Sequence, residues 1–425
     1  MPSLKDIAAQ VSGYDPDALP VAQAQEFIAR LVPRVEAVEM LALRSSLGRV
    51  LARDLVSPFN VPSHDNSAMD GYALRGSDLA ADAPTRLALA GTGLAGQPFA
   101  GDVPLRGCLR ITTGALMPAG LDTVVPQEFV TLDGNTVLVP PGVVRAGDNR
   151  RLAGEDLAAG SAALAAGRVL RPADLGLIAS LGLAEVPVWR KLRVAFFSTG
   201  DELRSIGEPL DAGCVYDSNR YTLWGMLQRL NVDLLDLGVV RDEPAALTAA
   251  FRQAAESADA VITSGGVSVG EADYTKRIMA QLGEVLFWRI AMRPGRPMAI
   301  GRIGGDAKQA ILFGLPGNPV AVMVTFYAFV RDALLAMSGA TVAPLAMLRA
   351  ASSAAIRKKP GRTEYQRGIV TRGGDGQWRV AITGSQGSGI LRSMSVANGL
   401  VVLAHEQGNV AAGELVDVLP FDGLV

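Results

Sequence analysis

Between Ala258 and Lys276 the chain reads ADAVITSGGVSVGEADYTK. An apolar run, Ala260 to Thr263, ends in a glycine-rich turn, and two acids, Glu271 and Asp273, follow at the start of a predicted helix. A strand, a loop and a helix in that order bind phosphate on free backbone N–H groups. Acids beside such a loop hold Mg²⁺ or a ribose hydroxyl. A second group of residues suits an oxyanion: FWRIAMRPGRP carries Arg289, Arg293 and Arg296 in a short span, and arginine presents a planar fork that matches oxyanions. A solvated basic turn has the same composition, so this reading and the functional one both stand.

The elements that must position these groups run from Leu192 to about Ser338, where strands and helices alternate. RVAFFST, VDLLDLGVV, DAVITS and AILFGL are predicted strands; Arg220 to Leu230, Pro244 to Ser257, Tyr274 to Leu282 and Pro319 to Met337 are predicted helices. That order implies a doubly wound parallel sheet, in which ligands bind at the carboxyl ends of the strands. Four such ends carry polar motifs: Ser198 to Glu202, Arg241-Asp242, the loop from Ser264 to Asp273, and Gly314 to Pro319. A lone acid at a strand end is more often a helix cap, and Asn318-Pro319 has the form of a cap followed by a first-turn proline. Asp217 or Ser218 is read as a cap before Asn219 and the next helix. Four polar ends in one domain favour a shared crevice.

Around this domain the texture changes. Val21, Phe27, Ile28, Leu31 and Val32 fit one helical face closed by Pro33, and Ala173 to Leu183 looks helical again. Between them, from about Val56 to Asp148, short apolar runs alternate with Gly and Pro, including TLDGNTVLVP with its Asp133-Gly134 turn, as in a β-rich module. After Pro344 short strands and turns suit a small barrel, with Arg362, Arg367 and a Gly384 to Gly389 loop that serves as an oxyanion cradle or as a tight turn. The expected domains are 1–55 with 149–191 (helical, discontinuous), 56–148 (β-rich), 192–340 (α/β) and 341–425 (β-barrel).

Composition narrows the chemistry. The 425 residues, 49% hydrophobic, suffice for about three domains with cores. A net charge of −2 without a basic block argues against a nucleic-acid partner. Two cysteines, Cys108 and Cys214, lack metal spacing, so a disulfide scaffold and a zinc site are not expected. Only His64 and His405 could supply imidazole. MPSLKDIAAQ lacks the apolar core of a signal peptide. Gln309 to Val330 is uncharged and long enough to span a membrane, but Gly314-Leu315-Pro316-Gly317-Asn318-Pro319 would break that helix, and a buried strand, turn and helix are expected instead. A soluble, cytoplasmic protein without a membrane partner follows. Gly266-Val267-Ser268-Val269-Gly270 matches a nucleophile elbow, yet the one downstream histidine, His405, falls in the C-terminal β module, so a serine hydrolase is disfavoured.

DNSAMDGYAL, TGDEL, SGGVSVGEADYTK, MRPGRP, GLPGNP and GSQGS, in this order across nearly the whole chain, resemble the molybdopterin molybdenumtransferase family, which includes the C-terminal domain of gephyrin. The resemblance implies an elongated four-part subunit working as a homodimer, with its active site near the subunit interface. It implies insertion of molybdenum from molybdate into adenylylated molybdopterin with Mg²⁺-assisted release of AMP. The substrate's own sulfurs would hold the molybdenum, which explains the scarcity of His and Cys. Carried over by residue, Glu202, Asp242 and Asp273 are the acids of the α/β site, with Asp242 and Asp273 for Mg²⁺ or water activation and Glu202 at the nucleotide end. Ser264, Gly265, Gly266, Ser268, Gly270 and Lys276 belong to the substrate loop, and Pro316, Gly317, Asn318 and Pro319 to the anion-facing turn. Arg296 belongs to the substrate-binding set, and Ser388 and Arg367 would contact molybdate. Asp70 and Thr113 belong to the module that approaches the partner subunit's site. Arg289 and Arg293 stand where relatives often carry lysine, and a permanent positive charge suits an electrostatic role. A molybdopterin adenylyltransferase and a non-catalytic scaffold are the alternatives. An adenylyltransferase and cofactor-accepting proteins are expected partners.

Overall fold

The computed structural model describes residues 2–266, 273–305 and 308–423. At its centre lies a six-stranded sheet built from β1 (Arg193–Thr199), β2 (Asp233–Val240), β3 (Ala260–Ser264), β4 (Gly283–Arg289), β5 (Pro297–Gly305) and β6 (Lys308–Leu315). Their order is β2-β1-β3-β6-β5-β4. The first four are parallel, while β5 runs antiparallel to both β6 and β4. The antiparallel edge was not predicted: the basic residues around Arg293 drew the reading of a segment whose flanks, GEVLFWR and PMAIGRIGG, are strands.

Alternation along β1 shows why the sheet is covered on both sides. Side chains two apart share a face. Val194 and Phe196 enter one core with α1 (Ser218–Arg229) and α4 (Pro319–Met337), while Ala195 and Phe197 enter the other with α2 (Pro244–Ser257) and residues of α3 (Asp273–Leu282). Being buried on both faces, these strands read as continuous apolar runs. Helix α4 is long and apolar enough to cross a membrane, but most of it is buried inside the fold, and a π-helical turn at Phe326–Val330 sits within it. It is the core helix expected after GLPGNP.

The N-terminal helices Leu4–Gln10 and Val21–Leu31 pack on the α/β unit rather than on the segment around residue 172. Phe27 meets Trp288 of β4 edge-on, with ring centroids 5.1 Å apart. Beyond them the chain leaves and returns as antiparallel ladders: Val38–Ala42 pairs with Glu185–Trp189, Leu55–Val56 with Ala162–Leu164, and Asn66–Ser67 with Arg150–Arg151. Helix Pro172–Ser180 packs beside this stem, which therefore holds more strand than the sequence suggested. Between the two arms a separate six-stranded sheet spans Gly71 to Val139, with the expected hairpin at Asp133 and Gly134. At the C-terminus five strands close into a barrel, because Thr363–Arg372 pairs with both Trp378–Ile382 and Gly399–Leu403. A sixth, Met292–Arg293, adds in parallel to Thr363–Glu364 and ties the barrel to the α/β unit.

Phe27 is fully buried. Phe27→Ala is expected to destabilise the α/β unit by about 3–5 kcal/mol, the usual cost of truncating a buried phenylalanine. Urea unfolding followed by the fluorescence of Trp288 and its neighbours measures this; a loss below about 1 kcal/mol would show that the N-terminal helices are not part of that core.

Candidate active site

The carboxyl ends of β1, β2, β3 and β6 open into a cavity of about 1080 Å³, closed on its far side by the barrel. Each wall has its own chemistry. Glu202, Asp217 and Asp242 line it from the sheet, and Arg293, Arg296 and Arg362 from the MRPGRP segment and the barrel.

On the acidic side hydroxyls hold the carboxylates in place. The Thr199 hydroxyl donates to Asp242 Oδ1 at 2.9 Å, and Asp201 Oδ1 accepts from the Asp242 amide at 3.2 Å. Asp217 is the helix cap that the sequence suggested: it accepts from the Arg220 amide at 3.2 Å and from the Ser198 hydroxyl at 2.9 Å. Asn318 occupies the cap position of α4, but its side chain makes no cap bond and instead lines the cavity with Pro316, Gly317 and Pro319.

The glycine turn after β3 supplies the floor. Gly265 has φ +96°, a conformation that side-chain-bearing residues rarely adopt, and its amide donates to Leu315 O at 3.1 Å. A Cβ on Gly265 would lie 2.5 Å from Thr199 O, so only glycine lets these two strand ends close together. Asn219 joins them from below. Its Nδ2 donates to Ser264 Oγ at 2.8 Å and to Gly317 O at 2.7 Å, bridging the β3 loop and the β6 turn, while its buried Oδ1 has no protein partner.

The predicted residues divide accordingly. Glu202, Asp242, Ser264, Gly265, Gly266, Arg293, Arg296, Pro316, Gly317, Asn318, Pro319 and Ser388 meet around this one cavity. Arg289 does not: it lies at the end of β4, 3.7 Å from Asp17, so of the two arginines only Arg293 faces the cavity. Lys276 lies over the Phe287 ring at 5.4 Å, outside the lining. Arg367 is fully buried, and its guanidinium is directed at the backbone of the Ser385–Gly387 loop and at Ser393; the expected contact with an anion gives way to a contact with the loop that bears Ser388. Asp70 and Thr113 are bonded to each other in the separate β module, Asp70 Oδ1 accepting from the Thr113 amide at 2.7 Å and hydroxyl at 2.8 Å. Those bonds, the amide's first, hold the Asp70 carboxyl below its ordinary pKa. Ser268, Gly270 and the side chain of Asp273 lie outside the described residues. His405 is in the barrel and does not line the cavity.

Sequence reasoning placed Thr199, Asn219 and Gln386 in polar segments without giving any of them a role of its own, and all three line the cavity. Thr199 closes an apolar run and Asn219 opens a helix, both common structural settings. Only their contacts across the fold distinguish them.

A doubly wound domain with a glycine turn at the carboxyl edge of its sheet and a small barrel beside it defines the class of multidomain α/β proteins whose ligand cavity lies at the strand ends. The chain matches the MoeA N-terminal region (domain I and II) over residues 19–182, the "Probable molybdopterin binding domain" over 195–336, and the MoeA C-terminal region (domain IV) over 349–421. It is 41% identical over 404 residues to a molybdopterin molybdenumtransferase of Haemophilus influenzae, covering 95% of this chain and 98% of that one. A gephyrin of Dictyostelium discoideum is 30% identical over 90% of this chain and 59% of its own. The crystal structure of a Pyrococcus horikoshii moeA protein superposes with a TM-score of 0.82 at 28% identity, covering 95% of this chain and 100% of that one. The chain belongs to the molybdopterin molybdenumtransferase family.

Gly265→Ala is expected to force the β3 loop away from Thr199 and to weaken nucleotide binding at least tenfold while the fold persists. Calorimetric titration with AMP, beside circular dichroism of the variant, tests this; unchanged AMP affinity would remove the glycine turn from the ligand site.

Proposed function

We propose that this chain is a molybdopterin molybdenumtransferase that takes adenylylated molybdopterin and molybdate into the cavity, releases AMP and leaves molybdenum on the pterin's sulfurs. The observation that carries the reading is the division of one cavity into a carboxylate wall and an arginine wall. A phosphoanhydride and an oxyanion must meet in this reaction, and the two walls suit those two partners.

The glycine turn at Gly265 and Gly266 lines the cavity and, lacking side chains, lets a phosphate approach the backbone at Gly266, the Gly265 N–H being engaged by Leu315 O. Asp242, oriented by Thr199, orients water or an ion toward the anhydride, with Asp273 as its proposed companion and Glu202 toward the nucleotide. The donor set suits Mg²⁺. Among the described residues no three His, Cys, Asp or Glu cluster as a metal cage, and Mg²⁺ is ordinarily held by one or two carboxylates together with substrate phosphates. When bound there, Mg²⁺ supplies neutralisation of the charge that develops on the phosphate oxygens. Arg293, Arg296 and Ser388 face the other half of the cavity, where fixed positive charge holds molybdate beside the pterin. Bringing two bound partners into register is a positioning task rather than one of acid–base chemistry.

The chain works as a homodimer in this reading. Asp70 and Thr113, absent from the cavity lining, belong to the wall that a second copy would add. Such a cover would also keep bulk water from the transfer. Both cysteines are free, in keeping with a cytoplasmic setting. A molybdopterin adenylyltransferase would supply the substrate and cofactor-accepting proteins would receive the product.

Purified protein incubated with adenylylated molybdopterin, Mg²⁺ and molybdate is expected to release AMP only when molybdate is present, with molybdenum retained on the pterin. Chelation of Mg²⁺ is expected to stop AMP release, and Asp242→Asn to slow it by roughly a hundredfold or more, the scale for losing one charge-stabilising group. Synthesis of the adenylate from ATP and molybdopterin would instead assign the preceding step. Tight pterin binding without turnover would assign a scaffold.

A further inference from the structure

Gln386 and Arg367 form a reciprocal latch between barrel strand Thr363–Arg372 and the loop that bears Ser388. Gln386 Oε1 accepts from the Arg367 amide at 2.8 Å, and Gln386 Nε2 donates to Arg367 O at 3.3 Å. One side-chain amide thus pairs with both backbone groups of one strand residue, as a neighbouring strand would. Gln386 Nε2 also donates to Thr383 Oγ1 at 3.3 Å and to Gly384 O at 3.4 Å. The Arg367 side chain returns the contact. Its Nη1 donates to Gln386 O at 3.2 Å, and its Nη2 to Gly387 O at 2.9 Å and Ser385 O at 3.4 Å, while Nε donates to Ser393 Oγ at 2.9 Å.

The direction of those carbonyls has a consequence at the cavity. In a planar trans peptide the C=O of one residue and the N–H of the next point opposite ways. The cis peptides of the described chain are Val61-Pro62 and Arg293-Pro294, neither of them in this loop. With the carbonyls of Ser385, Gln386 and Gly387 drawn in to the buried guanidinium, the N–H groups of Gln386, Gly387 and Ser388 are turned away from it. Gln386, Gly387, Ser388 and Gly389 line the cavity, as does the glycine turn of β3. Successive N–H groups facing one way make an anion-binding concavity. Ser388 O in turn accepts from the Val320 amide in the first turn of α4, at 3.0 Å, so the loop is also fastened to the α/β wall.

We propose that Gln386 is a positioning residue for the oxyanion: with Arg367 it fixes the peptides of residues 385–388 so that their N–H groups, beside Ser388 and Arg293, present to molybdate. Arg367 acts through the loop. It holds three carbonyls, and among the described residues no acid is a hydrogen-bond partner. The inference rests on the transferase reading above and adds to it which residues shape the molybdate half.

The test is the split between two Michaelis constants in the AMP-release assay. Gln386→Ala is expected to raise KM for molybdate about tenfold, with KM for adenylylated molybdopterin within twofold of the parent and the thermal midpoint little changed. Gln386→Glu, which keeps length and one acceptor but exchanges the amide donor for a charge, is expected to move the molybdate KM in the same direction. Arg367→Lys, which keeps the charge but not the fork, is expected to match Gln386→Ala. An unchanged molybdate KM in both Gln386 variants, with the parent still dependent on molybdate, would overturn the latch alone. AMP release from the parent that ignores molybdate would overturn the transferase reading and the latch with it.

Discussion

Two parallel rungs between Met292–Arg293 and Thr363–Glu364 hold the barrel against the α/β unit, and the cavity depends on them. The acids belong to strand ends of one unit, while Arg362, Gln386 and Ser388 belong to the other. Arg293 lies on the joining strand itself. Were the barrel displaced, the carboxylate wall would face water and the remaining arginines would have nothing to oppose. The same joint explains why Arg293 and Arg289 part company. Arg289 ends β4, where the N-terminal segment reaches it through Asp17, and the next residues turn away to add to the barrel.

Within each wall, buried polar contacts set the aim of exposed groups. Thr199 orients Asp242, Asn219 joins the turns after β3 and β6, and Gln386 with Arg367 shapes the barrel loop. The Arg367 guanidinium illustrates the energetic side. Burial first, and then the neighbouring Arg293 charge, lower its pKa. Loop carbonyls and a serine hydroxyl take up its donors.

The doubly wound order was legible because buried strands read as apolar runs and their loops as glycine, proline and acid. Most of β1 and all of β3 are buried, and SGG and GLPGNP follow the strands β3 and β6 as glycine- and proline-rich turns should. The antiparallel pair β4 and β5 was not, because the segment that connects them, IAMRPGR, carries the arginines that pointed to chemistry rather than to a turn between strands. The N-terminal helices were legible as helices but not as members of the α/β core. Amphipathic spacing shows that a face will be buried and not what buries it, and for Phe27 the answer was Trp288, far along the chain.

What the sequence by itself determined was local: the glycines that allow the β3 loop its backbone, the Asp217 cap, the proline that opens α4, and the family to which the motif order belongs. Which of the charged residues share a cavity was decided only by the tertiary structure. Arg367 and Ser388 were both expected at the molybdate, yet Arg367 is enclosed behind the loop that bears Ser388, and Ser388 lines the cavity. Asp70 and Thr113, carried over from the same resemblance as Asp242, lie in another module. Spacing along a chain conveys periodicity and turn chemistry; which side chain faces which is set by long-range packing between residues hundreds of positions apart.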